Sequence, residues 1–311
     1  MGTPDFAVAP LEAIIKAGHE VVAIVTQPDK QKGRGKEVQM TPVKVCALSH
    51  GIPVLQPVKI REPEHVAELK EFAADVFVIA AFGQILSEEI LQMPKFGCIN
   101  IHASLLPAYR GAAPIQWAIL NGESKTGITI MQMAKGIDDG DMLLKKEVII
   151  DEKETGESLH DKLMEAGAEA IVEALPLIEK GELIPEKQNE ELATKAPKLT
   201  KELGLIDWSK DAVTIERFVR GLNSWPSAYT HYNGKTLKVW KGDVAQGDGG
   251  YVPKSVNTPP GTVVAVDKTY FDVATGDGCL RIKEVQLEGK KRISVKEFLL
   301  GYSISVGMKL D

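Results

Sequence analysis

The sequence predicts an α/β protein: a doubly wound, largely parallel sheet followed by a small β-barrel domain. Three observations predict it. Apolar strand-like runs alternate with helical periodicities through the first part of the chain, the pattern of helices covering both faces of a sheet. A polar stretch with Pro185, Pro197 and many Lys and Glu interrupts that pattern at 183–205. Short strand-like runs with turn signals between them then fill the rest, as in a small barrel. At roughly 100–200 residues per domain, 311 residues suit two domains. The expected boundaries are 1–182 for the first domain, 183–205 for a linker and 206–311 for the second.

Each element has a local reason. Glu20–Thr26 reads as a buried strand. Thr41–His50 reads as a helix, with Thr41 at the N-cap, Pro42 at the first helical position and Gly51 past its end. Ile52–Leu55 is a short strand, and Glu62–Ala73 is amphipathic and helical. Asp75–Ala81 is a near-continuous apolar strand. Glu88–Gln92 reads as a short helix, Gly97–His102 as a strand and Ala112–Leu120 as a helix. Gly127–Met133 and Met142–Ile150 are strands. Ser158-Leu-His-Asp161 reads as a capping box opening a long helix that fades near Pro176 and ends by Gly181. Beyond the linker, Thr214–Leu222 is helical. Ala228–Tyr232, Thr236–Trp240, Gly261–Val266, Phe271–Ala274 and Cys279–Leu287 are strands.

Composition excludes several classes. Hydrophobic residues make up 44% and charged residues 26%, ordinary for a globular chain. No apolar run reaches the ~18–20 residues of a membrane helix. The opening MGTPDFAVAP has neither a basic nor a sustained apolar region, so no signal peptide is expected. Cys46, Cys98 and Cys279 stand far apart with no C-x-x-C, which gives no zinc signature and a poor disulfide framework. A cytoplasmic monomer without bound metal is the expectation. Net charge is −6, yet residues 206–311 carry 15 Lys+Arg against 12 Asp+Glu, so the acidic excess lies in the first part. Taken alone, that small basic balance means little.

Three features point to chemistry. Asn100-Ile-His102 closes a strand, and alternation puts Asn100 and His102 on one face, at the carboxyl end where open α/β sheets bind ligands. Taken alone, one such histidine is more often a satisfied structural residue. Ser104-Leu105-Leu106-Pro107 follows at once and leads through Tyr109 to Arg110-Gly111, a loop able to hold a flat ligand. The run Gly136-Ile-Asp138-Asp139-Gly140-Asp141 is a turn between two strands, and its carboxylates could meet His102 and bias its proton. By itself it is a solvated acidic turn, and it lacks the spacing of a calcium loop. Gly33-Arg-Gly-Lys36 is too short for a P-loop, and no G-x-G-x-x-G follows a strand.

Together these residues resemble the 10-formyltetrahydrofolate-dependent formyltransferase family. Its pattern is Asn-x-His, then Ser-Leu-Leu-Pro running into Arg-Gly, then an Asp about 36 residues after the His; here these are Asn100, His102, Ser104–Pro107, Arg110-Gly111 and Asp138. Further segments are similar to those of members acting on initiator methionyl-tRNA: Gly2–Phe6, Val25–Asp29, Ala80–Gln84, Thr126–Met133, Gly221–Pro226 and Gly289–Arg292. The similarity runs nearly end to end. It implies a Rossmann-like first domain, an OB-like second domain and a cis peptide before Pro107. It implies formyl transfer from 10-formyltetrahydrofolate to the α-amine of initiator methionyl-tRNA, in translation initiation. Asn100, His102 and Asp138 are then catalytic, Asn100 and His102 stabilising the oxyanion and Asp138 pairing with His102 and assisting proton transfer, and Ser104, Leu105, Leu106 and Pro107 contact the folate. The basic loop with Lys30, Lys32, Arg34 and Lys36 contacts tRNA, and Lys290, Lys291 and Arg292 touch phosphates. Without the resemblance, that loop is a solvated charged turn.

Other members act on sugar nucleotides, on glycinamide ribonucleotide or on water; the basic loop and Trp225-Pro226 favour tRNA. A folate- or RNA-binding module without catalysis is the alternative of another class, and it expects one of Asn100, His102 and Asp138 to stand apart from the other two. One departure from the family is expected to matter. Members usually have a short hydrophobic strand just before the Met-Gly-Thr-Pro-Asp-Phe segment, where this sequence starts; a sheet lacking it would expose apolar faces and unpaired edges.

Overall fold

The structure, a computed structural model, describes residues 1–32, 37–247, 250–251 and 258–311. It divides into two compact units. One comprises Met1–Pro114, Lys125–Ile149 and His160–Pro197; the other comprises Ile115–Ser124, Ile150–Leu159 and Lys198–Asp311. Along the first part run α1 (Val8–Lys16), β1 (Ile24–Val25), β2 (Lys30–Lys32), β3 (Glu37–Gln39), α2 (Pro42–Ser49), β4 (Val54–Leu55), α3 (Pro63–Glu71), β5 (Phe77–Ile79), α4 (Glu88–Leu91), β6 (Cys98–His102), β7 (Arg110–Gly111), α5 (Pro114–Leu120), β8 (Lys125–Gln132), β9 (Met142–Ile149), α6 (Gly156–Lys180) and β10 (Lys195–Ala196).

The expected helix starts have physical counterparts. Thr41 Oγ1 accepts the Lys44 amide at 3.2 Å, and Pro42 opens α2. The long helix starts earlier than its expected box. Thr155 and Ser158 exchange backbone-to-hydroxyl hydrogen bonds at 3.1 and 3.0 Å, so Ser158 stands inside α6 rather than capping it. The helix runs through Pro176 to Lys180, and Gly181 follows at φ 69°. Val8–Lys16 is a helix that the pattern reading leaves unassigned.

The expected largely parallel sheet is instead mixed. In the order β5-β6-β8-β9, β5 and β6 are parallel, while β8 is antiparallel to both β6 and β9. The turn between β8 and β9 is too short for the crossover that parallel strands need. A second pair, β1 with β4, is parallel and separate. Only Ile24–Val25 of the expected strand Glu20–Thr26 joins that ladder. Met1 and Gly2 lie between the two sheets: the Gly2 amide donates to Val25 O at 3.0 Å, and the Ala80 amide to Met1 O at 3.0 Å. Beside them a cavity of about 530 Å³ is lined by Leu11, Ile14, Val21, Val43, Val76 and Leu175, among others. The buried core of the sheet gathers Val25, Leu69, Phe77, Ile79, Phe82 and Ile90.

The second unit holds α7 (Ala212–Gly221), β11 (Ala228–Tyr232), β12 (Lys235–Val244), β13 (Gln246–Gly247), β14 (Gly250–Tyr251), β15 (Val263–Val266), β16 (Phe271–Ala274), β17 (Cys279–Leu287), β18 (Ile293–Ser294) and α8 (Val295–Gly301). The sheet order is β11-β12-β17-β16-β15, with β18 on β17, all antiparallel. Among the described residues this is an open strand order, not a closed barrel. The last residues touch both margins: the Leu310 amide donates to Gly261 O at 2.8 Å, and the His231 amide to Asp311 O at 2.8 Å. Trp208, Ile215, Val219, Phe271, Ile282 and Phe298 belong to its core.

Candidate active site

Strand β6 delivers the first two functional side chains. It is paired on both sides, by β5 and β8, and all five of its residues are buried. Alternation places Asn100 and His102 on one face at its carboxyl end, 9% and 5% exposed. The chain then turns sharply. Ser104 Oγ donates to Ala108 O at 2.6 Å. Thr129 Oγ1 donates to Ser104 O at 2.7 Å and accepts the Leu106 amide at 3.1 Å. The Leu106–Pro107 peptide is cis. Tyr109 adopts φ 62°, rare for a bulky residue, and its carbonyl faces His102 Nε2 at 3.0 Å. A carbonyl only accepts, so Nε2 carries a proton and Nδ1 is left for other work.

Nδ1 faces Asp138, 3.6 Å from Oδ2. Asp138 sits in the turn between β8 and β9, in the left-handed region at φ 51°. Its Oδ2 accepts the Gly111 amide at 2.9 Å, and its Oδ1 accepts Asn100 Nδ2 at 3.4 Å. Gly111 is required: at φ 123° a Cβ there would stand 2.7 Å from Ala196 O. The structure thus brings Asn100, His102 and Asp138 together, from one strand end and one turn.

Other expected site residues lie as follows. Ser104 and Leu106 are buried, and Leu106 packs with Met131 and Met142. Leu105 and Pro107 are half-buried, so within this loop they and the backbone offer the accessible surface. Lys30 is exposed on β2, which pairs with β3 in a hairpin. The side chain of Lys32, with Arg34 and Lys36, lies outside the described residues. Lys290 and Lys291 are exposed in the other unit. Arg292 there donates to Glu284 Oε2 at 2.7 Å and lies 4.9 Å from the Trp240 ring centre.

Residues that pattern reading leaves unassigned complete the site's surroundings. Gln188 Nε2 donates to Asp138 O and Gly140 O, each at 2.8 Å. Arg110 Nε donates to Gln188 Oε1 at 2.9 Å, while its two terminal nitrogens hold Glu190 at 2.7 and 3.0 Å. That pairing raises the Arg110 pKa and lowers that of Glu190. Arg110-Gly111 was visible as a motif; Gln188 lies in the stretch expected to be a linker.

Among the described residues two clusters have the residue types of a metal site, the partly exposed Glu62, Glu64 and His65 group and Glu12 with Cys46 and His50. Cys46 Sγ donates to Glu12 Oε1 at 3.1 Å, and His50 Nε2 lies 3.0 Å from Glu12 Oε2. Burial and the Glu12 carboxylate push the Cys46 thiol up to about 12, so it holds its proton and is a poor ligand.

Matches to known proteins run along most of the chain. The formyl transferase family model matches residues 1–175, and the model of the formyl transferase C-terminal domain matches 198–303. A protein named methionyl-tRNA formyltransferase from Agathobacter rectalis is 56% identical over 307 residues, covering 99% of this chain and 97% of its own. One of the same name from Caldanaerobacter subterraneus subsp. tengcongensis is 51% identical over 308 residues, with 99% and 97% covered. Among solved structures, the sugar 3N-formyl transferase WlaRD, in the presence of dTDP and 5-N-formyl-THF, superposes with a TM-score of 0.65 at 22% identity, over 93% of this chain and 97% of its own. HypX from Aquifex aeolicus with tetrahydrofolic acid gives 0.59 at 20% identity, over 92% of this chain and 50% of its own. These two share the fold. With both family models matched in order and half or more of the residues shared with full-length relatives, the chain belongs to the formyl transferase family.

Proposed function

We propose that this chain transfers the formyl group of 10-formyltetrahydrofolate to the α-amino group of methionine on initiator tRNA. The family and the relatives' shared name supply the substrate classes. The observation that carries the reading is the convergence of Asn100, His102 and Asp138 at the end of β6. A binding module has no need of that convergence.

The chemistry follows from the atoms. The free amine attacks the formyl carbon, a new C–N bond forms and the carbonyl oxygen becomes an oxyanion. Asn100 Nδ2 has two protons. Its contact to Asp138 is long at 3.4 Å, which leaves donor capacity for that oxygen. His102 keeps its Nε2 proton on the Tyr109 carbonyl, so its exchangeable position is Nδ1, beside Asp138. The Asp138 carboxylate takes a proton from the attacking nitrogen, directly or through water. The oxyanion then re-forms the carbonyl as the bond to N10 breaks, N10 receives the proton that Asp138 took, and tetrahydrofolate leaves. No covalent enzyme intermediate and no metal enter the scheme.

The folate is assigned to the Ser104–Pro107 loop, through Leu105, Pro107 and the backbone. The sheet unit is assigned as Rossmann-like. The functional division follows 1–182, 183–205 and 206–311, the last as an OB-like, tRNA-binding barrel. The contacts of Leu310 and Asp311 with both margins of its open sheet support a barrel-like closure. Lys30, Lys32, Arg34 and Lys36 are assigned to the tRNA, as are Lys290, Lys291 and Arg292.

The test is single-turnover transfer of radiolabelled formyl with charged initiator methionyl-tRNA and a sugar-nucleotide amine as parallel acceptors. Label on methionyl-tRNA alone is expected. Label on the sugar nucleotide alone, or release of free formate alone, overturns the proposed substrate.

A further inference from the structure

The turn carrying Asp138 has little to hold it in place. Lys135, Gly136, Ile137 and Asp139 are exposed, with Ile137 at 75%. Asp138 itself is in a left-handed conformation that non-glycine residues keep only when surroundings fix it. Met133 packs against the sheet core where the turn begins, but the residues flanking Asp138 bury no apolar side chain. Hydrogen bonds must therefore set the aim of the carboxylate, and one side chain supplies the largest share to the backbone.

That side chain is Gln188. Its amide nitrogen spans the turn, donating to Asp138 O and Gly140 O at 2.8 Å each. Its oxygen accepts Arg110 Nε at 2.9 Å. The amide orientation follows from these partners: flipped, the oxygen would face two carbonyl oxygens and the nitrogen a guanidinium. Arg110 is in turn fixed by its fork on Glu190. The neighbouring Gly111 amide grips Asp138 Oδ2. The strap is tied at both ends: Glu186 exchanges backbone hydrogen bonds with Met142 at 2.8 and 2.9 Å, and β10 pairs with β7. Asp138 is thus held by its carboxylate from one side and by its backbone from the other, and Arg110-Gly111 links the two grips.

The geometry points to Gln188 as a positioning residue for catalysis: it holds the Asp138–Gly140 backbone so that the Asp138 carboxylate faces His102 Nδ1. This rests on the catalytic reading of Asp138. Releasing the grip lets the carboxylate drift, and a misplacement of about 1 Å can cost on the order of 10² in rate.

The experiment compares Gln188→Ala, Gln188→Glu and Asp138→Asn in single-turnover formyl transfer across pH. Gln188→Ala is expected to lower kcat about tenfold to a hundredfold, with KM for both substrates within about twofold. Its pH–rate profile should be displaced, because the spacing of the His102–Asp138 pair changes. Gln188→Glu, of the same size, sets a carboxylate against two carbonyls and should lose as much. It also stands as the readout if the alanine variant folds poorly. A merely structural role would lower the melting temperature and leave the pH profile in place. An unchanged kcat and profile in a folded Gln188 variant, with Asp138→Asn inactive, overturns the positioning role alone. Full activity of Asp138→Asn overturns the catalytic reading beneath it.

Discussion

At the scale of single residues, the three side chains at the end of β6 separate catalysis from stability. His102 is 5% exposed and its Nε2 satisfies the Tyr109 carbonyl at 3.0 Å. Replacing it by alanine removes that hydrogen bond, which costs about 0.5–1.5 kcal/mol. It also removes a group from the reacting centre, so turnover should fall by about 10²–10³. Thermal melts and single-turnover rates on His102→Ala check both, and near-full turnover would dismantle the scheme. Asn100→Ala should lose comparable turnover, because in the proposed scheme it removes an oxyanion donor. The cysteines make a different prediction. Burial pushes Cys46 and Cys98 up to about 12 and raises Cys279, so almost no thiolate exists at neutral pH. A disulfide reagent should label none of the three in the folded protein and all three after denaturation. Rapid labelling of the native chain would contradict their burial. Asn100 and His102 were legible because a period of two fixes their shared face. Gln188 was not: its partners lie 48 to 78 residues away in sequence, and isolated hydrogen bonds leave no periodic trace.

At the scale of elements, helix caps contribute to the acid sensitivity of the second unit. Asp211 caps α7, accepting the Thr214 amide at 2.9 Å and its hydroxyl at 2.6 Å, and these bonds hold its pKa below the usual 3.8. Glu297 completes a capping box with Ser294 at the start of α8 and is lowered likewise, first by the Ser294 hydroxyl. A carboxylate lowered in the folded state adds stability above its unfolded pKa and loses it as pH falls through the folded value. The window is thus about pH 4.5 and below. Asp211→Ala should cost about 1 kcal/mol at pH 7 in urea melts, and its deficit should shrink towards pH 3. A deficit constant across that range would assign the loss to packing instead. The α8 box was readable as Ser294-x-x-Glu297 and passed over, as was the apolar spacing of α1. Sheet direction was harder to read. Alternating burial along β9 fits an antiparallel edge strand, but the sequence alone does not reveal which strand lies beside it.

At the scale of the whole molecule, a net charge of −6 must bind a polyanion through local basic groups. Long-range attraction is weak, so affinity should rest on a few close phosphate contacts and fall steeply with salt. The candidates differ in what they can give. Arg292 is already held by Glu284 and the Trp240 ring, so its charge is partly neutralised before RNA arrives. Lys290 and Lys291 are exposed and can exchange water for phosphate. Each contact contributes about 0.7–0.9 to the slope of log K against log salt. Replacing Lys290 and Lys291 together by Gln should therefore flatten the slope for initiator tRNA by roughly 1.4–1.8. Arg292→Gln should change it less than either lysine does, because Glu284 is then left without its partner and repels the backbone only weakly at working ionic strength. Folate binding should not respond to either change. Titrations of labelled tRNA at several salt concentrations measure all of this directly. A slope identical in the double variant and the parent would remove the 290–292 turn from the RNA surface and leave the hairpin at Lys30 and its neighbours as the remaining basic contact.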